Sequence, residues 1–230
     1  MSLVLGVATF HWSGWADCVR SWNEKAMWWR PLKIVEGLRV VDAYQRIYEL
    51  TKQGIIGYIH DDVICQEADW DVRVMKEFAD PKVGLVGFAG GLKHGSSDMY
   101  TTPYVLSQLA RGGFLSNLRD AEVHGQRFTG ECDVAVLDGV ALFVRREVLV
   151  KAGGWPKSVI DYFLYAEWLA CVTRRLGYKI RLVGVAVDHL GGKSTGLNKH
   201  TKFDFEGEHA WLYQEFKDVL PWEVRSQTPR

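Results

Sequence analysis

The chain has 230 residues, with 28 Lys plus Arg against 28 Asp plus Glu and so no formal net charge when the histidines are neutral. That length suits one large domain that buries its core without staples, and the even balance gives no overall reason to expect a polyanion, so nucleic acid is not favoured as a partner. Cys18, Cys65, Cys132 and Cys171 are widely spaced and form no C-x-x-C pair, which argues for reduced thiols rather than a disulfide framework or a zinc ribbon.

The opening MSLVLGVATFHW carries no basic region, and no later apolar run reaches about 18 residues, so a cytoplasmic protein without a membrane span is expected. Residues 3–10 (LVLGVATF) read as a buried parallel strand, and a polar turn over 11–14 leads into a helix to about residue 25. Pro31 resets the chain for a second strand over 32–35, closing on Glu36-Gly37. Val41, Tyr44, Ile47, Tyr48 and Thr51 then recur at helical spacing within 38–53, with Gly54 at the expected C-cap. Ile55, Ile56, Tyr58 and Ile59 make a third strand that ends abruptly in His60-Asp61-Asp62. This β-α-β-α-β order with short connections is that of one half of an open, mostly parallel α/β sheet.

A helix is expected over 67–80, and Pro81 separates it from a strand over 83–88 that ends in Ala89-Gly90-Gly91. Residues 92–131 are irregular apart from a short helix around 105–111, and a loop region of that length in a compact domain usually carries function. VAVLDGVALFV (134–144) reads as a strand interrupted at Asp138-Gly139. A short helix over 145–152, a helix over 161–176 capped by Gly177, a strand over 179–187, a polar loop over 188–195 and a terminal helix over 203–219 complete the chain. The ten tryptophans fit either a large core or flat stacking surfaces, and core is expected for most.

The third strand delivers carboxylates to its own C-terminal edge, where open α/β sheets place ligands. Adjacent carboxylates repel unless a cation or basic group offsets them. Both a divalent metal on oxygen ligands and a turn with a helix cap account for the pair. Asp69-Trp70-Asp71 lies in the first turn of an expected helix, where acids are favoured by unpaired amides and the helix dipole, so a structural role is expected. Gly192-Lys193-Ser194 is not a phosphate loop, because Val187 stands where that motif requires glycine, and the glycines of GLVGFAGG lack dinucleotide-fold spacing.

YIHDDVI, followed by an acid-edged helix and VGLVGFAGG, resembles the GT-A fold nucleotide-sugar glycosyltransferases of the family 2 type, in members whose Asp-x-Asp element is written His-Asp-Asp. AYQRIYELTKQG, VLDGVALFVRREVLVKAGGW and LGYKIRLVGVAVDHLGGKST resemble further blocks of that family in the same order, covering most of residues 3–195. The resemblance implies a single GT-A domain, with residues 1–91 as the nucleotide-sugar-binding half and 92–230 as the acceptor-binding and catalytic half. It implies transfer of a sugar from a nucleoside-diphosphate donor, a UDP-sugar first, to a hydroxyl acceptor of unknown class, with inversion and with Mn2+ or Mg2+ neutralising the departing diphosphate. Asp62, Asp61 and His189 are then the implied metal residues, and a nitrogen ligand tilts the choice towards Mn2+. Thr9, Phe10, His11, Glu36, His60, Asp61, Asp138 and Gly139 are the implied donor contacts. The base that takes the acceptor proton falls near Tyr165 or Ala166 when counted back from Gly177-Tyr178, leaving Glu167 as candidate and Asp161 second. Two alternatives stay open. A sugar-nucleotide-forming nucleotidyltransferase shares the sheet and acids but needs a basic phosphate loop that TFHWSGW lacks, and a catalytically degenerate binding protein on the same fold is credible because the acidic base motif is reduced to one acid.

Overall fold

The computed structural model describes residues 1–9, 14–95, 113–119, 126–156, 164–191 and 205–224. The first half alternates as expected, except for a short strand β4 that the sequence did not suggest: β1 (Leu3–Thr9), α1 (Trp15–Lys25), β2 (Leu32–Glu36), α2 (Val40–Leu50), β3 (Ile55–His60), β4 (Val63–Cys65), α3 (Trp70–Glu77) and β5 (Val83–Gly87). Short strands follow, β6 (Ala89–Gly91), β7 (Lys93–His94), β8 (Phe114–Ser116), β9 (Gln126–Arg127), β10 (Glu131–Asp133) and β11 (Val136–Leu137). The chain closes with β12 (Ala141–Arg145), α4 (Arg146–Ala152), α5 (Tyr165–Arg175), β13 (Lys179–Val183), β14 (Val187–His189), α6 (Phe205–Phe216) and β15 (Trp222–Glu223).

Seven strands form the main sheet in the order β10-β13-β5-β12-β3-β1-β2. β1, β2, β3, β5 and β13 run in one direction, and β12 and β10 run against it. The expected mostly parallel sheet is therefore present, and strands from both halves of the chain share it. Side chains alternate across a strand, so β3 puts Ile55 and Ile59 on one face and Ile56 and Tyr58 on the other. The first pair packs with Val19 and Trp22 of α1 and Trp70 and Val74 of α3. The second packs with Tyr44 and Ile47 of α2, Leu149 of α4, Leu169 of α5 and Phe216 of α6. His60, the next even position, leaves the sheet on this second face. Among the described residues, no helix is long and apolar enough to cross a membrane.

Several expected boundaries move, each for a local reason. The helix placed over 38–53 ends at Leu50, because buried Thr51 turns extended with its hydroxyl on the Tyr48 carbonyl and its own carbonyl taking the Arg146 guanidinium; Gly54 is not the cap. The 67–80 helix begins only at Trp70, since Asp69 adopts a left-handed backbone. The strand over 83–88 splits at Phe88 into β5 and β6, which belong to different sheets. Residues 134–144 are likewise two strands of different sheets: the Asp138 amide donates to the Ala89 carbonyl, and its carboxylate accepts the Val140 amide, which turns the chain there. The 179–187 strand breaks at Gly184, whose amide donates to Gly130 and whose carbonyl accepts the Asn117 side chain, and this frees β14 to pair elsewhere. The short helix around 105–111 lies outside the described residues, and the terminal helix is described as Phe205–Phe216.

Of the two acids at the start of α3, Asp71 is structural through contacts beyond the helix itself. Asp71 is fully buried; its carboxylate accepts the Met27 and Trp28 amides at 2.8 and 3.3 Å and the Arg30 guanidinium at 3.0 and 2.5 Å. It pins the turn between α1 and β2. Trp28 and Trp29 on that turn are 64% and 73% exposed, whereas Trp22, Trp70, Trp155 and Trp168 are buried in the core.

Candidate active site

The C-terminal edge of the parallel strands gathers most of the expected residues. β1 ends at Thr9, paired in register with Glu36 at the end of β2, and β3 ends at His60, with Asp61 and Asp62 in the turn that follows. Glu36 is exposed. Thr9 is buried, and its side chain hydrogen-bonds the Asp61 carboxyl. Burial raises the Asp61 carboxyl above the usual range, with the Thr9 bond opposing that rise.

A short hairpin brings in His189. β14 runs antiparallel to β4 with His189 opposite Val63, and the Leu190 amide donates to the Asp62 carbonyl at 2.9 Å. The Val63 carbonyl is itself held by the Trp22 indole at 3.0 Å, which ties this hairpin to α1. As a result His189 Nε2 stands 3.4 Å, and His60 Nδ1 3.9 Å, from Asp62 Oδ1. His60, Asp62 and His189 each offer one ligand atom, all within 4.8 Å of one another. Burial would raise the Asp62 carboxyl, but the His189 hydrogen bond and the neighbouring His60 outweigh it and hold it below the usual range. His60 is lowered, chiefly by burial, so its neutral form is favoured. One carboxylate and two imidazole nitrogens make a donor set suited to a first-row divalent ion.

Asp62 and His189 are thus brought together as expected. Asp61 does not join the cluster, and its place is taken by His60, which the sequence had suggested only as a donor contact. Asp138-Gly139 lies beside His60, whose backbone amide donates to the Val140 carbonyl at 3.2 Å. Phe10, His11 and Asp161 lie outside the described residues. Glu167 is buried in the first turn of α5, where it adds to the rise of the Cys171 thiol four residues on. The α5 residue that reaches the cluster is Tyr165, whose hydroxyl lies 2.5 Å from His60 Nε2. Sequence reasoning gave Tyr165 no role, although counting back from Gly177-Tyr178 had landed on it.

Comparison with known proteins bears on the fold and the family. No curated protein matches the chain significantly in sequence. Among solved structures it is similar to a mannosyltransferase from Pyrobaculum calidifontis in complex with GDP-Man and Mn2+, at TM-score 0.56 and 14% identity over 92% of this chain and 69% of that one. It is similar to GalNAc-T7 with UDP, GalNAc and Mn2+ at TM-score 0.64 and 9% identity, over 95% of this chain but only 50% of that one. It also resembles S. aureus TarS 1-349 in complex with UDP-GlcNAc at TM-score 0.60 and 8% identity, over 96% of this chain and 67% of that one. These likenesses establish the GT-A fold. The sequence profile of the glycosyltransferase-like family matches residues 29–189, most of the chain, and the protein belongs to that family.

Proposed function

We propose that the protein is a metal-dependent glycosyltransferase that moves a sugar from a nucleoside-diphosphate donor to a hydroxyl acceptor, with inversion. The observation that carries this reading is the convergence of His60, Asp62 and His189 at the C-terminal edge of the sheet. Asp62 and His189 would hold the ion with His60 as the third ligand, and Mn2+ suits the two nitrogens better than Mg2+. When bound, the ion would neutralise charge building on the departing diphosphate. A UDP-sugar is the first donor to try, since two of the similar structures carry UDP or UDP-GlcNAc, and GDP-Man in the third makes GDP-sugars the second.

The remaining roles follow the edge. Thr9 fixes Asp61 beside the cluster, so that Asp61 meets the donor rather than the ion, and Glu36, paired with Thr9 along the same edge, and Asp138-Gly139, in the turn before β12, are further donor contacts. Phe10 and His11, next along from Thr9, are assigned to the donor by the resemblance. Removal of the acceptor proton is assigned to the entry of α5, with Glu167 as base and Asp161 second; this part rests on the resemblance alone. The decisive experiment is calorimetric titration with UDP-, GDP- and dTDP-sugars with and without Mn2+, followed by mass spectrometry of an acceptor screen. Metal-dependent donor binding with product supports the reading. Donor binding without product in any acceptor screen favours a binding protein on the same fold, and no metal-dependent binding overturns the reading.

A further inference from the structure

We propose that Tyr165 is the positioning residue for His60: its hydroxyl accepts the His60 Nε2–H and so aims the Nδ1 lone pair into the space shared with Asp62 and His189. The proposal rests on the metal-binding reading above and extends it to a residue that does not touch the ion. A neutral imidazole carries one N–H and one lone pair. A ring that ligates through Nδ1 must therefore keep its proton on Nε2 and needs an acceptor there to fix tautomer and orientation. Tyr165 Oη lies 2.5 Å from Nε2, on the opposite side of the ring from the 3.9 Å approach of Nδ1 to Asp62 Oδ1.

Three elements hold the tyrosine in place. The alternation of β3 puts His60 on the same face as Tyr58, and Tyr58 packs on Tyr44 with ring centroids 4.6 Å apart. Tyr44 in turn meets the Tyr165 ring edge-to-face at 5.5 Å and 85°. The third element is the turn at Gly139. A Cβ there would lie 2.7 and 2.9 Å from Tyr165 ring carbons and would collide with its hydroxyl, so the tyrosine reaches His60 only because position 139 has no side chain. Gly139, implied by the resemblance as a donor contact, thus has a physical reason to be glycine within this site. The same turn accepts the His60 backbone amide through the Val140 carbonyl at 3.2 Å, so strand end, turn and helix entry converge on one imidazole.

The test compares wild type, Tyr165→Phe and Gly139→Ala by Mn2+ calorimetry, and reads the His60 tautomer in metal-free protein by 15N-edited NMR. Wild-type His60 should be the Nε2–H tautomer. Tyr165→Phe should weaken Mn2+ binding about 10- to 100-fold and mix the tautomers, and Gly139→Ala, which leaves the hydroxyl present but displaced, should act in the same direction. In a His60→Ala background Tyr165→Phe should cost no further Mn2+ affinity. A purely structural tyrosine would move neither the tautomer nor this cycle. A wild-type Nδ1–H tautomer, or Tyr165→Phe binding Mn2+ as tightly as wild type, would overturn the proposal alone. Failure of the wild type to bind Mn2+ would overturn it together with the metal-binding reading.

Discussion

His189 Nε2 lies 3.4 Å from Asp62 Oδ1, although the two residues come from opposite halves of the chain. The contact is set by backbone: β14 pairs with β4, and the Leu190 amide donates to the main-chain carbonyl of Asp62, not to its carboxylate. Replacing the side chain therefore leaves the hairpin intact. Asp62→Ala should lose Mn2+ binding and lower donor turnover by at least ~100-fold, while circular dichroism and Tm stay close to wild type. Turnover near the wild-type level would remove Asp62 from the metal site.

The cysteines give a pH prediction. Burial pushes Cys65 and Cys171 up to about 12 and Cys132 to about 11, and it also takes Cys18 to about 11, with Asp62 and Asp61 adding to the rise. An unfolded thiol ionises near 8.5. Folded values above the unfolded one mean that the native chain holds protons the unfolded chain releases, so this stabilisation is complete below the unfolded value and is lost as pH rises towards 11 and 12. Tm should fall steadily from about pH 9 upwards, and Cys171→Ala should flatten that slope. At pH 8 only on the order of one thiol in a thousand is ionised in the native protein. Iodoacetamide labelling should therefore be slow and should begin at half-buried Cys132; fast labelling of Cys65 would contradict this.

The parallel order of β1, β2, β3 and β5 was legible because each strand is a short apolar run closed by turn residues, and that signal is local. Asp62 was legible for the same reason, as an acid at the end of such a run. What the sequence did not show depends on contacts between distant segments. VAVLDGVALFV is continuous in hydrophobicity, yet Asp138 turns it because its amide meets the Ala89 carbonyl of another strand. That His60 stands together with Asp62 and His189 follows from the closing of β14 on β4, a contact between distant segments that no local pattern carries. Tyr165 sits where the resemblance calls for an acid, so only its contact with His60 gave it a role.

Asp71 tests how a buried charge holds a surface turn. Its carboxylate satisfies two backbone amides and the Arg30 guanidinium with no exposure of its own. Removing one partner of such a buried set strands the others without water. Asp71→Ala should cost about 3 kcal/mol or more in denaturant unfolding, and Asp71→Asn somewhat less, because its amide oxygen still accepts a backbone hydrogen. A loss under ~0.5 kcal/mol for the alanine variant would show that the turn does not depend on this carboxylate.

Glu167 carries the last prediction, and the helix geometry makes it a sharp one. Successive residues of a helix turn by about 100°, so Glu167, two residues after Tyr165, points to the opposite side of α5. Tyr165 meets His60, and Glu167 instead shares its face with Cys171. If Glu167 is the base, Glu167→Gln keeps size and burial but removes the proton acceptor. It should then lower kcat by ~100-fold or more, with donor affinity, Mn2+ affinity and Tm unchanged. If its role is to pack and bond within the α5 face, the same variant lowers Tm and leaves kcat per folded molecule near wild type. Measuring kcat and Tm on one preparation separates the two, and an unchanged kcat moves the proton-accepting role to another group, with Asp161→Asn the next variant to test.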